Sequence, residues 1–238
     1  MKSEVILHLR DVVKMYGALR PLRVRELVLH AGESVALTGV DGPAAAVLAD
    51  LITGAVLPDQ GDVVAFGAST AALSNGDTWL QALERFGILS ERAVLLDAMS
   101  VAQNLALPFS VELHPISASV MAAVLRLVAE VGCAASVLAL RVGDADPLLR
   151  VRVRLARALA TGPHLLLAEH PNALVSADQT AALAADLARV TAARGIAALT
   201  LTADLRFARS VASRVLRVNP ATGAVTSVPT WATWFGRG

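Results

Sequence analysis

The stretch SVALTGVDGPAAAVLADLITG, Ser34 to Gly54, limits what this chain can fold into more than any other. Its first part is a continuous apolar run, the pattern of a strand buried on both faces. Its second part is an alanine-rich helix pattern, Ala44 to Thr53, that stops at a glycine. A strand that turns through Gly39 and Gly42 directly into a helix begins a crossover unit, and crossover units build parallel sheets. The same alternation returns late in the chain. HLLLAE, a helical pattern over 177–193, IAALTLT, a short helix and RVLRVNP follow one another there. Upstream, EVILHLRDVV and RVRELVLH read as strands, and LPDQGDVVAFG reads as a turn followed by a strand. Helices are predicted over 77–86, 101–107, 117–131 and 148–160, so a helical insertion interrupts the sheet-forming parts.

A chain of 238 residues can bury a substantial core. Its 55% hydrophobic content and mean hydropathy of +0.58 raise the question of a membrane span. Asp50 breaks the apolar stretch Gly42–Pro58, and Arg126 and Glu130 break Val120–Leu140. Neither supplies the roughly 18–20 uninterrupted apolar residues that a spanning helix needs. MKSEVILHLRDVVKMYG carries charges inside its apolar patch and lacks a signal-peptide layout. The reading is a cytosolic protein with apolar surface to be covered by a partner. Net charge is +1, from 21 Lys+Arg against 20 Asp+Glu, so nucleic acid is not the expected ligand. The lone Cys133 excludes an internal disulfide and a cysteine zinc cluster, and reads as buried filler.

Four segments, in order, resemble the nucleotide-binding subunits of ATP-binding cassette transporters, across essentially Val5 to Val228. DVVKMYGALRPL resembles the segment whose aromatic residue stacks on adenine, which places Tyr16 there. AGESVALTGVDG through LITGAVLPDQGDVVAFG resembles the strand, phosphate loop, helix and following turn. FGILSERAVLLDAMSVAQNLALPF resembles the loop that senses the γ-phosphate and touches the membrane subunit. RVRLARALATGPHLLLAEHPNA resembles the signature helix running into the magnesium-binding strand. The resemblance implies an α/β, P-loop NTPase-like fold. It has a mostly parallel sheet, an N-terminal antiparallel β part and a helical insertion subdomain. One domain over 1–238 is implied, with an α/β core over 1–88 and 161–228, a helical subdomain over 89–160 and a tail over 229–238. ATP and Mg²⁺ are the implied cofactors. The implied partners are a transporter membrane subunit and either a second copy of the chain or a sister ATP-binding subunit. The implied place is the cytoplasm, peripheral on the inner face of the cytoplasmic membrane.

Residue by residue, the chemistry departs from that pattern. A phosphate loop holds phosphates with backbone N–H groups and a helix N-terminus, adds a lysine for the β and γ groups, and uses a hydroxyl for Mg²⁺. Aligned on Gly39 and Gly42, the third glycine falls at Ala44, the lysine at Ala45 and the hydroxyl at Ala46. Pro43 removes one donor from the cradle, although it suits a first helical turn. Asp41 puts a carboxylate where phosphate would sit. Its alternative role is to cap the helix, which makes the loop self-plugged. The Asp-Glu pair of the magnesium strand falls at Glu169 and His170. A one-residue shift would instead make Glu169 the base, with Ala168 at the metal position. The γ-phosphate-sensing glutamine falls at Glu91, the switch histidine at Ala203 and the five-residue signature at Ala145–Leu149, with Asp144 and Asp146 adding negative charge.

In the resembling family, each site pairs one chain's phosphate loop with the other chain's signature. A partner with intact motifs would therefore leave both sites incomplete here. The leading expectation is a degenerate cassette subunit that docks or regulates. The alternatives are an ATPase with rewired ligands, using Glu169, Glu91 and His170, and a free-standing interaction module. Arg150, Arg154 and Arg157 share a helical face beside Arg152, as a solvated face or a contact for a membrane subunit or acidic lipid. Val94–Pro108 reads as core or as part of a groove for a membrane-subunit helix. Trp231, Trp234 and Phe235 in the tail read as a lid or an interfacial anchor.

Overall fold

A computed structural model of the chain describes residues 4–72 and 76–229. Strands β1 (Val5–Lys14) and β2 (Leu22–His30) form an antiparallel pair, and β4 (Gln60–Ala65) and the short β5 (Ala68–Ser69) extend it in the order β2-β1-β4-β5. A second sheet has six strands, ordered β10-β9-β3-β8-β7-β6. Its members are β3 (Ser34–Thr38), β6 (Phe86–Leu89), β7 (Leu165–Glu169), β8 (Ala197–Leu201), β9 (Arg214–Val218) and β10 (Val225–Ser227). All its neighbours run parallel except β10, which returns antiparallel along β9.

The continuous apolar runs follow from burial on both faces of this sheet. Side chains alternate across a strand, so each run must serve two cores. Val35 and Leu37 of β3, Leu165 and Leu167 of β7, and Leu199 and Leu201 of β8 join one core with the antiparallel sheet and helix α1 (Gly42–Thr53). Ala36, Leu166, Ala168 and Ala198 point the other way, into a core shared with the helices. Those helices are α3 (Val101–Ala106), α4 (Ala118–Glu130), α5 (Pro147–Leu159), α6 (Thr180–Arg194) and α7 (Leu205–Val211). Among the described residues, a further α-helix, α2 (Gly76–Leu83), precedes β6.

The architecture is the expected α/β one: an antiparallel N-terminal part, a mostly parallel sheet and a set of helices between β6 and β7. The short strands β5 and β10 are not among the expected ones, and one expected helix differs. The helix predicted over 77–86 stops at Leu83, and Phe86 begins β6 instead. A four-residue apolar run after an amphipathic helix carries too little periodicity to separate a further turn from an edge strand. Gly87 lets that strand lie against α5, where a Cβ would meet the Ala158 carbonyl oxygen at 2.5 Å. Among the described residues, no helix is long and apolar enough to cross a membrane. The tail residues Trp231, Trp234 and Phe235 lie outside the described residues.

Candidate functional site

Three strands of the parallel sheet end side by side, and open α/β sheets carry their sites at such carboxyl ends. After β3 the chain turns at Gly39, whose φ is +88° and where a Cβ would lie 2.2 Å from the Val218 carbonyl oxygen. A side chain at this turn would have to displace a backbone carbonyl, so glycine is required. Asp41 then caps α1. The Ala44 N–H donates to Asp41 Oδ1 at 2.8 Å, and Pro43 occupies the first turn, where its missing N–H costs nothing. The Ala44 N–H, at the position that the motif spacing assigns to the phosphate loop, is thus bonded to a carboxylate belonging to the chain. Ala45 is fully buried, and Ala44 nearly so.

Tyr16, Gly39, Asp41 and Ala44 line one cavity of about 560 Å³, together with Arg20, Arg23, Val218 and Pro220. Burial, and secondarily the charge of Asp41, push the Tyr16 phenol above its ordinary value. The structure therefore brings the predicted Tyr16 together with Gly39, Asp41 and Ala44, whereas Gly42, Ala45 and Ala46 do not line this cavity.

Glu169 ends β7 and is buried, with 8% of its surface exposed. Its cation comes from Arg92, a residue that motif reading passed over. One guanidinium nitrogen of Arg92 donates to Glu169 Oε1 at 2.8 Å, and the other to Asp50 Oδ1 at 2.9 Å and Oδ2 at 3.2 Å. The first nitrogen also approaches the Ala46 carbonyl oxygen at 3.5 Å. The hydrogen bond to Glu169, then that to Asp50, hold Arg92 above the ordinary arginine value against the opposing effect of burial. Glu91, the residue singled out by spacing, is exposed, and its charge acts on Arg154 instead. No signal in the spacing marks Arg92 or Asp50. They meet across 42 positions of chain, and Arg92 meets Glu169 across 77.

His170 follows in the left-handed region, at φ 43° and ψ 46°, with its N–H donating to the Leu201 carbonyl. Its Nε2 is buried and makes no hydrogen bond among the described residues. Beyond β8, the Thr202 hydroxyl donates to Asn172 Oδ1 at 2.8 Å, and Ala203, the residue that spacing assigns to the switch histidine, follows it. Among the described residues, no group of three or more His, Cys, Asp or Glu side chains is gathered to hold a metal ion.

The second helix N-terminus of interest, that of α5, repeats the solution at α1. Asp146 caps it, accepting from the Leu149 N–H at 3.0 Å, and Pro147 fills the first turn. Farther along α5 the arginines divide. Arg150 pairs with Asp97 at 2.8 Å, and Arg152 pairs with Asp186 on α6 at 2.7 Å. Arg154 and Arg157 donate to the carbonyls of Ala93 and Val94 at 3.2 and 2.7 Å. Desolvation lowers both guanidiniums from the ordinary arginine value. They border a groove of about 550 Å³ whose apolar wall comes from Leu80, Leu83, Phe86, Ile88 and Pro108. Val94 and Phe109 stand exposed nearby in the chain, at 68% and 40%.

Comparison with known proteins bears on the fold and the family. The ABC transporter family model matches residues 22–173. The chain is 28% identical over 231 residues to the methionine import ATP-binding protein MetN of Mesorhizobium japonicum, covering 97% of this chain and 62% of that protein. It is 30% identical over 217 residues to the sulfate/thiosulfate import ATP-binding protein CysA of Caulobacter vibrioides, covering 89% of this chain and 61% of that one. The chain thus spans about three-fifths of the length of these curated relatives. The dimeric structure of MJ0796, a bacterial ABC transporter cassette, superposes with a TM-score of 0.78 at 18% identity, over 95% of this chain and 100% of that one. CbiO1 of Clostridium perfringens, part of the transporter complex CbiONQ, gives a TM-score of 0.78 at 17% identity, over 94% and 87%. The fold is the P-loop NTPase-like α/β fold of these cassettes. With a family model covering the phosphate-loop position and the strand that ends in Glu169, the chain belongs to the ABC transporter family.

Proposed function

We propose that this chain is a cassette subunit of a membrane transporter that docks and regulates, and that its own nucleotide site turns over little or no ATP. The observation that carries the reading is the Asp41 carboxylate bonded to the Ala44 N–H at 2.8 Å, at the helix terminus where a phosphate would bind. A phosphate arriving there meets a like charge, worth about 1 kcal/mol of repulsion at 4 Å in water and several-fold more when partly desolvated. No lysine at position 45 offsets that repulsion, and no hydroxyl at position 46 holds a metal. Phosphoryl transfer depends almost entirely on positioning and charge neutralisation, so losing these groups removes most of the rate. Asp146 on α5 presents the same obstacle at the signature position. The groove bordered by Arg154 and Arg157 is the docking surface in this reading. It receives a membrane-subunit segment, with a sister cassette or second copy on the nucleotide-site side, at the cytoplasmic face of the membrane.

A second reading is an ATPase with rewired ligands, and the relatives favour it, since MetN and CysA are both named as ATP-binding proteins. In that reading Glu169 or His170 serves as the base. Calorimetric titration with Mg-ATP, followed by a turnover assay, separates the two. The docking reading expects no binding tighter than micromolar and no steady phosphate release. Turnover abolished by Glu169→Gln or His170→Ala would establish the second reading and overturn the first.

A further inference from the structure

We infer that Arg92 is a built-in cation that takes the place of a divalent metal between α1 and β7, keeping metal out and pinning the loop after β6 to the sheet. This goes beyond the docking reading and does not rest on it. The motif spacing locates the position. Ala46 stands where the metal-binding hydroxyl would be, Glu169 where the metal-binding aspartate would be, and Arg92 immediately after the sensing position. The Arg92 guanidinium reaches the first two and adds Asp50.

The residues present do not fit a metal ion there. Two carboxylates from different elements, one of them nearly buried, hold a net negative charge that requires a cation. The guanidinium supplies it as a planar fork with one nitrogen for each acid, a geometry that a hydrated ion does not reproduce. Its nitrogens are donors only, so they offer a metal no ligand, and their positive charge repels one. Beyond Glu169 and Asp50, no further carboxylate is gathered with them, since no group of three such side chains occurs among the described residues.

The arginine also fixes its own loop. The Arg92 N–H donates to the Ser90 hydroxyl, and the Leu96 N–H and C=O both pair with the buried Asn104 side chain. The loop is therefore held at one end by Asn104 and at the other by Arg92. Both ties are made by the protein's own groups, a neutral amide at one end and a guanidinium at the other.

The test uses Mn²⁺ alone as the probe, with the full chain, and counts free Mn²⁺ by electron paramagnetic resonance. Wild type is expected to leave millimolar Mn²⁺ free. Arg92→Gln exposes the acid pair and is expected to bind Mn²⁺ roughly ten-fold more tightly than wild type, a difference of about 1.4 kcal/mol. Arg92→Lys keeps a cation and stays like wild type. In parallel, hydrogen exchange at 93–97 in wild type is expected to be the same with and without Mg²⁺. The inference is overturned if wild type binds Mn²⁺ and Glu169→Gln removes that binding. It is also overturned if folded Arg92→Gln gains nothing, or if Mg²⁺ slows exchange at 93–97. Should Arg92→Gln not fold, the two wild-type measurements decide the matter alone.

Discussion

Arg92 and Glu169 lie 2.8 Å apart, joining the loop after β6 to the end of β7. The acid is 7% exposed at its side chain and the base 49%, so the pair is screened on one side only. Removing the arginine leaves a nearly buried carboxylate with no cation. A fully buried pair would lose about 3–5 kcal/mol on such a change. Solvent around the guanidinium reduces this, and Arg92→Ala is expected to cost about 1–2 kcal/mol of unfolding free energy. Urea denaturation at neutral pH measures it, and Arg92→Lys is expected to retain part of the loss.

Asp41 is expected to behave as a cap before anything else. Asp41→Ala should lower stability by about 1 kcal/mol, whereas Asp41→Asn, which keeps an acceptor oxygen, should change it by less than about half of that. Thermal unfolding of the two variants side by side distinguishes a cap from a residue held for its charge.

Rebuilding the nucleotide site requires several changes together. Ala45→Lys alone forces a long cationic side chain into a position where alanine is fully buried, beside a loop still plugged by Asp41, and is expected to add little affinity for Mg-ATP. The combination of Asp41→Gly, Ala45→Lys, Ala46→Ser and Arg92→Gln supplies a lysine and a hydroxyl and removes the side-chain acceptor from the helix N-terminus. It is expected to tighten binding by at least roughly ten-fold over wild type, about 1.4 kcal/mol, read by calorimetry.

Glu33 gives the fold an acid-sensitive tie. Burial raises its carboxyl. The Arg214 guanidinium, donating at 2.7 Å, and the His30 N–H, donating at 3.0 Å, outweigh burial and hold it below the ordinary value. A carboxyl with a lower value folded than unfolded stabilises the protein above its unfolded value, and that contribution disappears as pH falls through the folded one. Glu33→Gln is therefore expected to be less stable than wild type at neutral pH and to converge with it below about pH 4. Denaturation curves across this range test the convergence.

Gly87 is expected to tolerate no side chain. The Cβ of Gly87→Ala would meet the Ala158 carbonyl oxygen at 2.5 Å and the Pro163 ring at 3.0 Å, forcing β6 away from α5. Overpacking of this kind costs about 1–3 kcal/mol. A lowered urea midpoint with an unchanged slope would record it.

The sequence alone determined the class of fold and the order of its longer strands and helices. Runs such as VAL in β3 and LLLA in β7 are continuously apolar and short, which suits a strand covered on both faces. The helix after Gly42 and its cap were legible because capping acts within three residues, between Asp41 and Ala44. The strand at Phe86–Leu89 was not legible, because its state is decided by pairing with β7 rather than by its own four residues. Tertiary structure alone decided which charges meet. Glu91 carries the motif position, yet the exposed turn sends its charge towards Arg154 while Arg92 reaches Asp50 and Glu169. A hydrogen bond forms between groups that the folded chain brings within about 3 Å, and that distance is set by packing of the sheet and α1, not by separation along the sequence.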